Sequence, residues 1–237
     1  MHQYWKVLAL NKGRGEFKAE VANGSATIYL YDAIVNSKEE ADWYGGVDPQ
    51  TFIDTLKTME ADVIHVRINS PGGSVFAARA MEQAIRETKA KVIAHVDGYS
   101  ASAASFLMMA ADEIIMAPGA MVMIHKAWSG VWGNANDLRS TADLLDKIDS
   151  TLVSTYATRS GTDAQQISDW MAAETWFTAQ EAVDAGLADS ISEDKTQAKA
   201  WDLSAYANAP AQAKDVPPEA KKHDVAALLR KLDVARI

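Results

Sequence analysis

The sequence predicts an α/β fold with a substantially parallel sheet, and two observations lead there. Strand-like runs alternate with helix-like stretches through the middle of the chain, and the joins between them are short and rich in glycine and small residues. Alternation of this kind lays successive strands side by side in one direction, with helices crossing between them.

Residues 6–10 and 26–31 read as strands, the second as Ala-Thr-Ile-Tyr-Leu-Tyr between turn formers. Asn23-Gly24 separates two strand-like stretches and suits a hairpin turn. Asp48-Pro49 opens a helix, with Asp as cap and Pro in the first turn, and Phe52, Leu56 and Met59 follow at helical spacing. Residues 62–68 form a strand, Ser70-Pro71-Gly72-Gly73 a tight loop, and residues 74–88 an amphipathic helix with Val75, Ala78, Met81 and Ile85 on one face. Residues 91–96 are a further strand, 97–101 a loop and 102–111 a helix of small residues. Short strands at 114–116 and 121–124 flank the turn Pro118-Gly119. The pattern from 134 to 156 is a helix long enough to stand outside a compact core, broken by Ser160-Gly161-Thr162-Asp163. Shorter helices at 164–171 and 179–185 flank Trp176-Phe177, and Gly186 is a helix stop. After Ile191 the composition shifts to Ala, Lys, Asp and Pro, which reads as a linker or extended arm. Residues 223–234 fit one amphipathic helix.

With 237 residues, 48% of them hydrophobic, the chain suits one globular domain with an appendage. A formal net charge of −9 does not favour wrapping nucleic acid, which needs a basic face. The chain has no cysteine, so disulfides, thiolate catalysis and cysteine-based zinc sites are excluded. Its first residues do not read as a signal peptide, and its most apolar window, 101–109, falls short of the ~20 residues of a membrane span. A cytoplasmic protein without membrane contact is expected.

Four clusters can carry chemistry. Asn69-Ser70-Pro71-Gly72-Gly73-Ser74 joins a strand to a helix; paired glycines leave backbone N–H groups unobstructed, so the loop can hold an oxyanion or can be a simple turn. The Gly-Lys-Ser/Thr ending of a phosphate loop is missing. Gly98-Tyr99-Ser100-Ala101-Ser102-Ala103-Ala104-Ser105 again follows a strand and enters a helix. It offers a serine amid little side-chain bulk, either as a nucleophile or as a cap in tight helix packing. The Gly-x-Ser-x-Gly elbow is not met. His125 ends the apolar run Met121-Val122-Met123-Ile124, where an imidazole can face a cleft and move protons near neutrality. Glu174 precedes Thr175-Trp176-Phe177 and can orient an imidazole; Asp169 is its rival. No histidine pair has zinc-ligand spacing, and neither a metal nor an organic cofactor is expected.

In their order along the chain these segments resemble the proteolytic subunit family of Clp proteases. The resemblance rests on Ser70-Pro71-Gly72-Gly73, on Gly98-Tyr99-Ser100-Ala101-Ser102, on Pro118 with Val122-Met123-Ile124-His125, and on Glu181-Ala182 with Gly186-Leu187-Ala188-Asp189. It spans roughly residues 26–191. It implies the Clp protease/crotonase-like fold, an N-terminal segment over 1–25 and a C-terminal arm over 192–237. It implies Ser102 as nucleophile, with Phe106 and Leu107 following at the family's offset, His125 as general base, and the N–H groups of Gly73 and Ala103 as oxyanion donors. The family's aspartate falls on Glu174, a departure that leaves Asp169 or a Ser-His dyad as alternatives. Ala101–Ser105, Glu174–Ala179 and Asp202-Leu203-Ser204 resemble the Clp-like head maturation proteases of tailed phages and prophages, which trim scaffold and shell proteins inside the procapsid. The resemblance thus implies a serine endopeptidase, a polypeptide substrate and a ring-forming homo-oligomer with contacts from the 134–156 helix. The start of the chain does not look like the segment that forms axial loops for an ATPase, so an ATPase partner is not expected. The same fold also serves acyl-CoA hydratases and isomerases, and a catalytically retired assembly module is a further alternative.

Overall fold

The computed structural model describes residues 3–22, 24–193 and 200–210. Eight strands form one mixed sheet in the order β1-β2-β3-β4-β5-β8 (β8, Ser190–Ile191), with β6 (Met121–Ile124) pairing β4 and β7 (Thr175–Thr178) beyond the end of β5. Strands β1 (Glu16–Ala22) and β2 (Ser25–Tyr31) are an antiparallel hairpin; β3 (Val63–Ser70), β4 (Lys91–Ala101) and β5 (Glu113–Met116) run parallel to β2. The chain therefore has the parallel-rich α/β sheet expected from the alternation of its elements.

Burial alternates along the central strands, as a two-faced sheet demands. Ile64, Val66 and Ile68 of β3 and Val92, Ala94 and Val96 of β4 face the helices α3 (Pro49–Lys57), α4 (Val75–Glu87) and α5 (Ala103–Met108) in the main core. The opposite face carries Tyr31, Arg67 and Asp97: Arg67 Nε and Nη2 donate to Asp97 at 2.8 and 2.5 Å, and the Tyr31 hydroxyl donates to the same carboxylate at 2.5 Å. Capping follows the sequence. Asp48 accepts from Thr51 N at 3.0 Å to start α3, and Ser74 accepts from Ala77 N at 3.3 Å to start α4.

The long helix α6 (Ala135–Ser160) opens with a capping box between Asn134 and Asp137 and ends at Gly161. Its 26 residues extend about 39 Å. Asp149, Leu152 and Tyr156 are its buried positions, whereas Leu138 and Leu144 are exposed. Its first half thus stands off the core. Among the described residues no helix is long and apolar enough to cross a membrane.

Three expectations need correction. Residues 6–10 are not a strand but part of helix α1 (Gln3–Asn11), with Val7, Leu8 and Ala9 buried. A short apolar run does not discriminate helix from strand by periodicity, and Leu, Ala and Lys favour the helix. Residues 97–101 are not a loop: β4 runs through them because Tyr99, Ser100 and Ala101 pair with Met121, Val122 and Met123 of β6 (Met121–Ile124). Small residues there mimic a loop composition, but the ladder decides.

The third correction concerns the segment after Ile191. Residues 200–210 are packed, not an extended arm. Trp201 is 1% exposed and, with Leu203, Tyr206 and Ala209, joins Val7, Ala101 and Met123 in a second apolar cluster. Trp201 Nε1 donates to Asn69 O at 3.0 Å, and Asn11 exchanges two hydrogen bonds with the Asp202 backbone at 2.8 and 2.9 Å. The helix expected at 223–234 lies outside the described residues, as does Asn23 of the hairpin turn.

Trp201→Ala removes a fully buried indole and its hydrogen bond, so unfolding in urea is expected to lose about 3–5 kcal/mol. A loss below about 1 kcal/mol, within the range of surface substitutions, contradicts the docking of this segment.

Candidate active site

The site forms at the C-terminal ends of β4 and β6. Ser102 is the corner between β4 and α5, with φ 54° and ψ −121°. A positive φ at a non-glycine residue is uncommon and costs roughly 1–3 kcal/mol. The corner is held by its neighbours: Ser102 N donates to Met123 O at 2.9 Å, and its carbonyl accepts from Ser105 N at 2.9 Å and Ser105 Oγ at 2.6 Å. Ser105 Oγ in turn shares a 2.7 Å hydrogen bond with the buried Tyr156 hydroxyl of α6. Ser102 is thus turned toward the cleft, whereas Ser100 is fully buried, its hydroxyl without a hydrogen-bond partner among the described residues.

His125 follows β6 directly. Its Nε2 lies 2.7 Å from Ser102 Oγ. For Nε2 to accept this proton, Nδ1 must carry the ring hydrogen. The strand exit is fixed on both sides, by Lys126 N on Met171 O at 3.1 Å and by Ala127 N on Asp149 Oδ1 at 2.7 Å. Burial holds the imidazole well below its ordinary value, at about 4, and the nearby Glu174 carboxylate opposes that shift.

The glycine loop supplies the third part. A Cβ on Gly72 would lie 2.4 Å from Ala101 O and 2.7 Å from Ser102 Cβ, so only glycine lets the loop press against the serine corner. A Cβ on Gly73 would lie 1.9 Å from Ile34 O. Ile34 N donates to Gly72 O and Ser74 N donates to Ile34 O, both at 2.9 Å. In such a parallel bridge the N–H of the intervening Gly73 points away from Ile34. Ala103 N–H, at the first turn of α5, has no acceptor within its helix. Gly73 lines the same cavity as Ser102 and His125; its volume is about 270 Å³, and Phe76, Trp128, Leu144 and Ile148 make its apolar wall.

The carboxylates are placed differently from expectation. Glu174, at φ 48°, accepts from Ala207 N at 3.2 Å and Asn208 N at 2.6 Å and makes no hydrogen bond to His125. Asp169 lies on α7 (Ala164–Ala172), where Oδ1 accepts from Gln165 Nε2 at 2.9 Å; it does not bond the imidazole either. His125 Nδ1 has no acceptor among the described residues. Also among the described residues, no group of three or more His, Asp or Glu is arranged to hold a metal.

Two residues of this neighbourhood are not singled out by the sequence. Ile34 bridges the glycine loop, and Tyr206 packs against the His125 ring at 5.6 Å and 85°. The available signal for Tyr206 is the recurrence of Trp201, Leu203 and Tyr206 in an otherwise Ala- and Pro-rich stretch.

The Clp protease family model matches residues 46–195. The chain is similar to the ATP-dependent Clp protease proteolytic subunit of Ligilactobacillus salivarius, 33% identical over 168 residues, covering 70% of this chain and 85% of that one. It is similar to the subunit of the same name from Bacteroides fragilis, 33% identical over 130 residues, covering 54% and 63%. It is also similar to proteolytic subunit 1 of Leifsonia xyli, 31% identical over 132 residues, covering 55% and 67%. The chain thus spans 63% of the length of the Bacteroides relative. It belongs to the Clp protease family.

An imidazole that protonates only near pH 4 stays neutral through the range in which an ordinary one, at 6.5, gains its charge. As pH falls from 7 to about 5.5, acylation of Ser102 by an activated ester is therefore expected to stay nearly level, declining only toward pH 4. A rate that halves near pH 6.5 contradicts the burial of His125.

Proposed function

We propose that this chain is a serine endopeptidase working through an acyl-enzyme, with Ser102 as nucleophile and His125 as general base. The observation that carries the reading is the 2.7 Å contact between Ser102 Oγ and His125 Nε2, at a cavity edged by Gly73. Ser102 Oγ attacks the peptide carbonyl while Nε2 takes its proton. The N–H groups of Gly73 and Ala103 receive the developing oxyanion, each worth about 2.7–4 kcal/mol in the transition state. The C–N bond then breaks as His125 gives the proton to the leaving amine. Water, deprotonated by the same imidazole, releases the acyl group and restores Ser102. Glu174 lends negative charge that favours the imidazolium without a hydrogen bond to it.

An extended substrate fits beside the Gly72-Gly73 loop, pairing with the backbone that Gly73 turns toward the cleft. The apolar wall of the cavity, Phe76, Trp128, Leu144 and Ile148, favours an apolar side chain next to the scissile bond. The resemblance of 101–105, 174–179 and 202–204 to phage head maturation proteases supports a capsid or scaffold protein as the natural substrate. The same resemblance supports a location in the host cytoplasm or the procapsid interior. A ring-forming homo-oligomer accords with the half of α6 that stands off the core with Leu138 and Leu144 exposed; sedimentation as a monomer at working concentration would count against it.

Cleavage of an unstructured polypeptide with apolar residues is the test. Ser102→Ala and His125→Ala are each expected to lower kcat by about 10⁴–10⁶ while the circular dichroism spectrum is kept. Continued cleavage by folded Ser102→Ala removes the assignment.

A further inference from the structure

Among the described residues no carboxylate bonds Nδ1 of the imidazole, yet its ring is packed against a neighbour. Tyr206, 4% exposed, lays its ring against His125 at 5.6 Å and 85°, and against Trp176 of β7 (Thr175–Thr178) at 6.0 Å and 74°. Its hydroxyl donates to Pro71 O at 2.5 Å, in the loop that carries Gly73. One side chain therefore touches both the general base and the oxyanion loop.

The backbone that carries Tyr206 is tied at both ends. Trp201 is anchored on Asn69, and Tyr206 N closes a turn on Leu203 O at 2.9 Å. Past the tyrosine, the Glu174 carboxylate accepts from the amides of Ala207 and Asn208, and Asn208 Nδ2 donates to Ala173 O at 2.8 Å. Glu174 adopts φ 48° in that arrangement, a conformation a non-glycine residue holds only where its surroundings enforce it. No residue of 200–210 lines the cavity at Ser102 and His125, yet the Tyr206 hydroxyl also interacts with the Ser102 side chain. Tyr206 also lies beyond residues 46–195, the stretch shared with the family.

We infer that Tyr206 is the positioning residue for His125, and that Glu174, besides the charge it lends the imidazole, orients it by anchoring the turn that carries Tyr206. The inference rests on the reading of Ser102 and His125 as the reacting pair. In a serine triad the carboxylate on Nδ1 sets the ring's orientation and tautomer. Here the orientation comes from packing: a buried aromatic ring, itself fixed by the Pro71 hydrogen bond, limits rotation of the imidazole and excludes water from it. Burial also pushes the Tyr206 phenol up, so it remains a neutral donor to Pro71 at working pH.

The test uses the full chain and the variants Tyr206→Phe, Tyr206→Ala and Glu174→Gln. It reads steady-state turnover of an activated ester and the His125 titration midpoint by NMR of the imidazole. Tyr206→Phe keeps the ring and is expected within about fivefold of wild-type kcat, with the His125 midpoint near that of the wild type. Tyr206→Ala is expected to lower kcat about 100-fold with little change in KM, the scale of a misplaced catalytic group, and to raise the midpoint toward 6.5. Glu174→Gln keeps an oxygen for the Asn208 amide and is expected to lose about tenfold, whereas loss of a carboxylate bonded directly to the imidazole costs about 10⁴. Unchanged kcat and midpoint in Tyr206→Ala overturn the inference, as does a loss of about 10⁴ in Glu174→Gln beside a mild Tyr206→Ala. Should Tyr206→Ala fail to fold, Tyr206→Leu carries the same expectation, since it fills the space without a ring. If even the wild type fails to turn over the ester, the peptidase reading falls, and the midpoint still decides the role of Tyr206.

Discussion

Ser102 occupies a backbone conformation that almost any other placement would avoid, and the surrounding structure is arranged to hold it there. At φ 54° it turns the chain from β4 into α5 within one residue. Its amide is engaged by Met123 O of the neighbouring strand, its carbonyl by Ser105, and its α-carbon side by the bare backbone of Gly72. The small residues Ala101, Ala103 and Ala104 are all buried, which the tight corner requires. The result is the logic of a nucleophile elbow without the Gly-x-Ser-x-Gly sequence: the closely approaching glycine comes from the loop after β3 and not from the next turn of the same chain segment.

From that corner the rest of the site follows. The extension of β4 to Ala101 lets β6 pair beside it, and that pairing delivers His125 to the serine hydroxyl. The bridge from Ile34 draws Gly73 into register, so the glycine loop lines the cleft beside Ser102. Desolvation of the half-buried imidazole lowers its affinity for a proton, which suits a base and disfavours a resident cation. The same burial makes its orientation depend on packing, and the segment around Tyr206 supplies that packing from a place remote in sequence.

Much of this was legible in the sequence because the signals were local. Asp48-Pro49 and Gly161 mark helix ends through chemistry contained within a few residues, and the structure uses both. Ser102, His125 and the paired glycines are conspicuous because small or polar residues interrupt apolar runs at strand ends. What escaped depends on distant partners. The run at 6–10 carries no periodicity that separates helix from strand. Residues 97–101 become a strand only because β6 lies alongside. Residues 201–209 look like a linker by composition, and their docking depends on a groove made by Asn69, Ala101, Met123 and α1. Glu174 was recognisable as a carboxylate near the site, but its true partners, the amides of Ala207 and Asn208, lie in that same segment.

The central claim is that Ser102 is an activated nucleophile within a preorganised site. The most direct measurement is reaction of the folded, full-length protein with a fluorophosphonate, followed by peptide mapping of the adduct. The account predicts a single modified peptide bearing the label on Ser102, formed at neutral pH. Absence of an adduct on a folded protein, or a label on Ser100 or Ser105 instead, would contradict it.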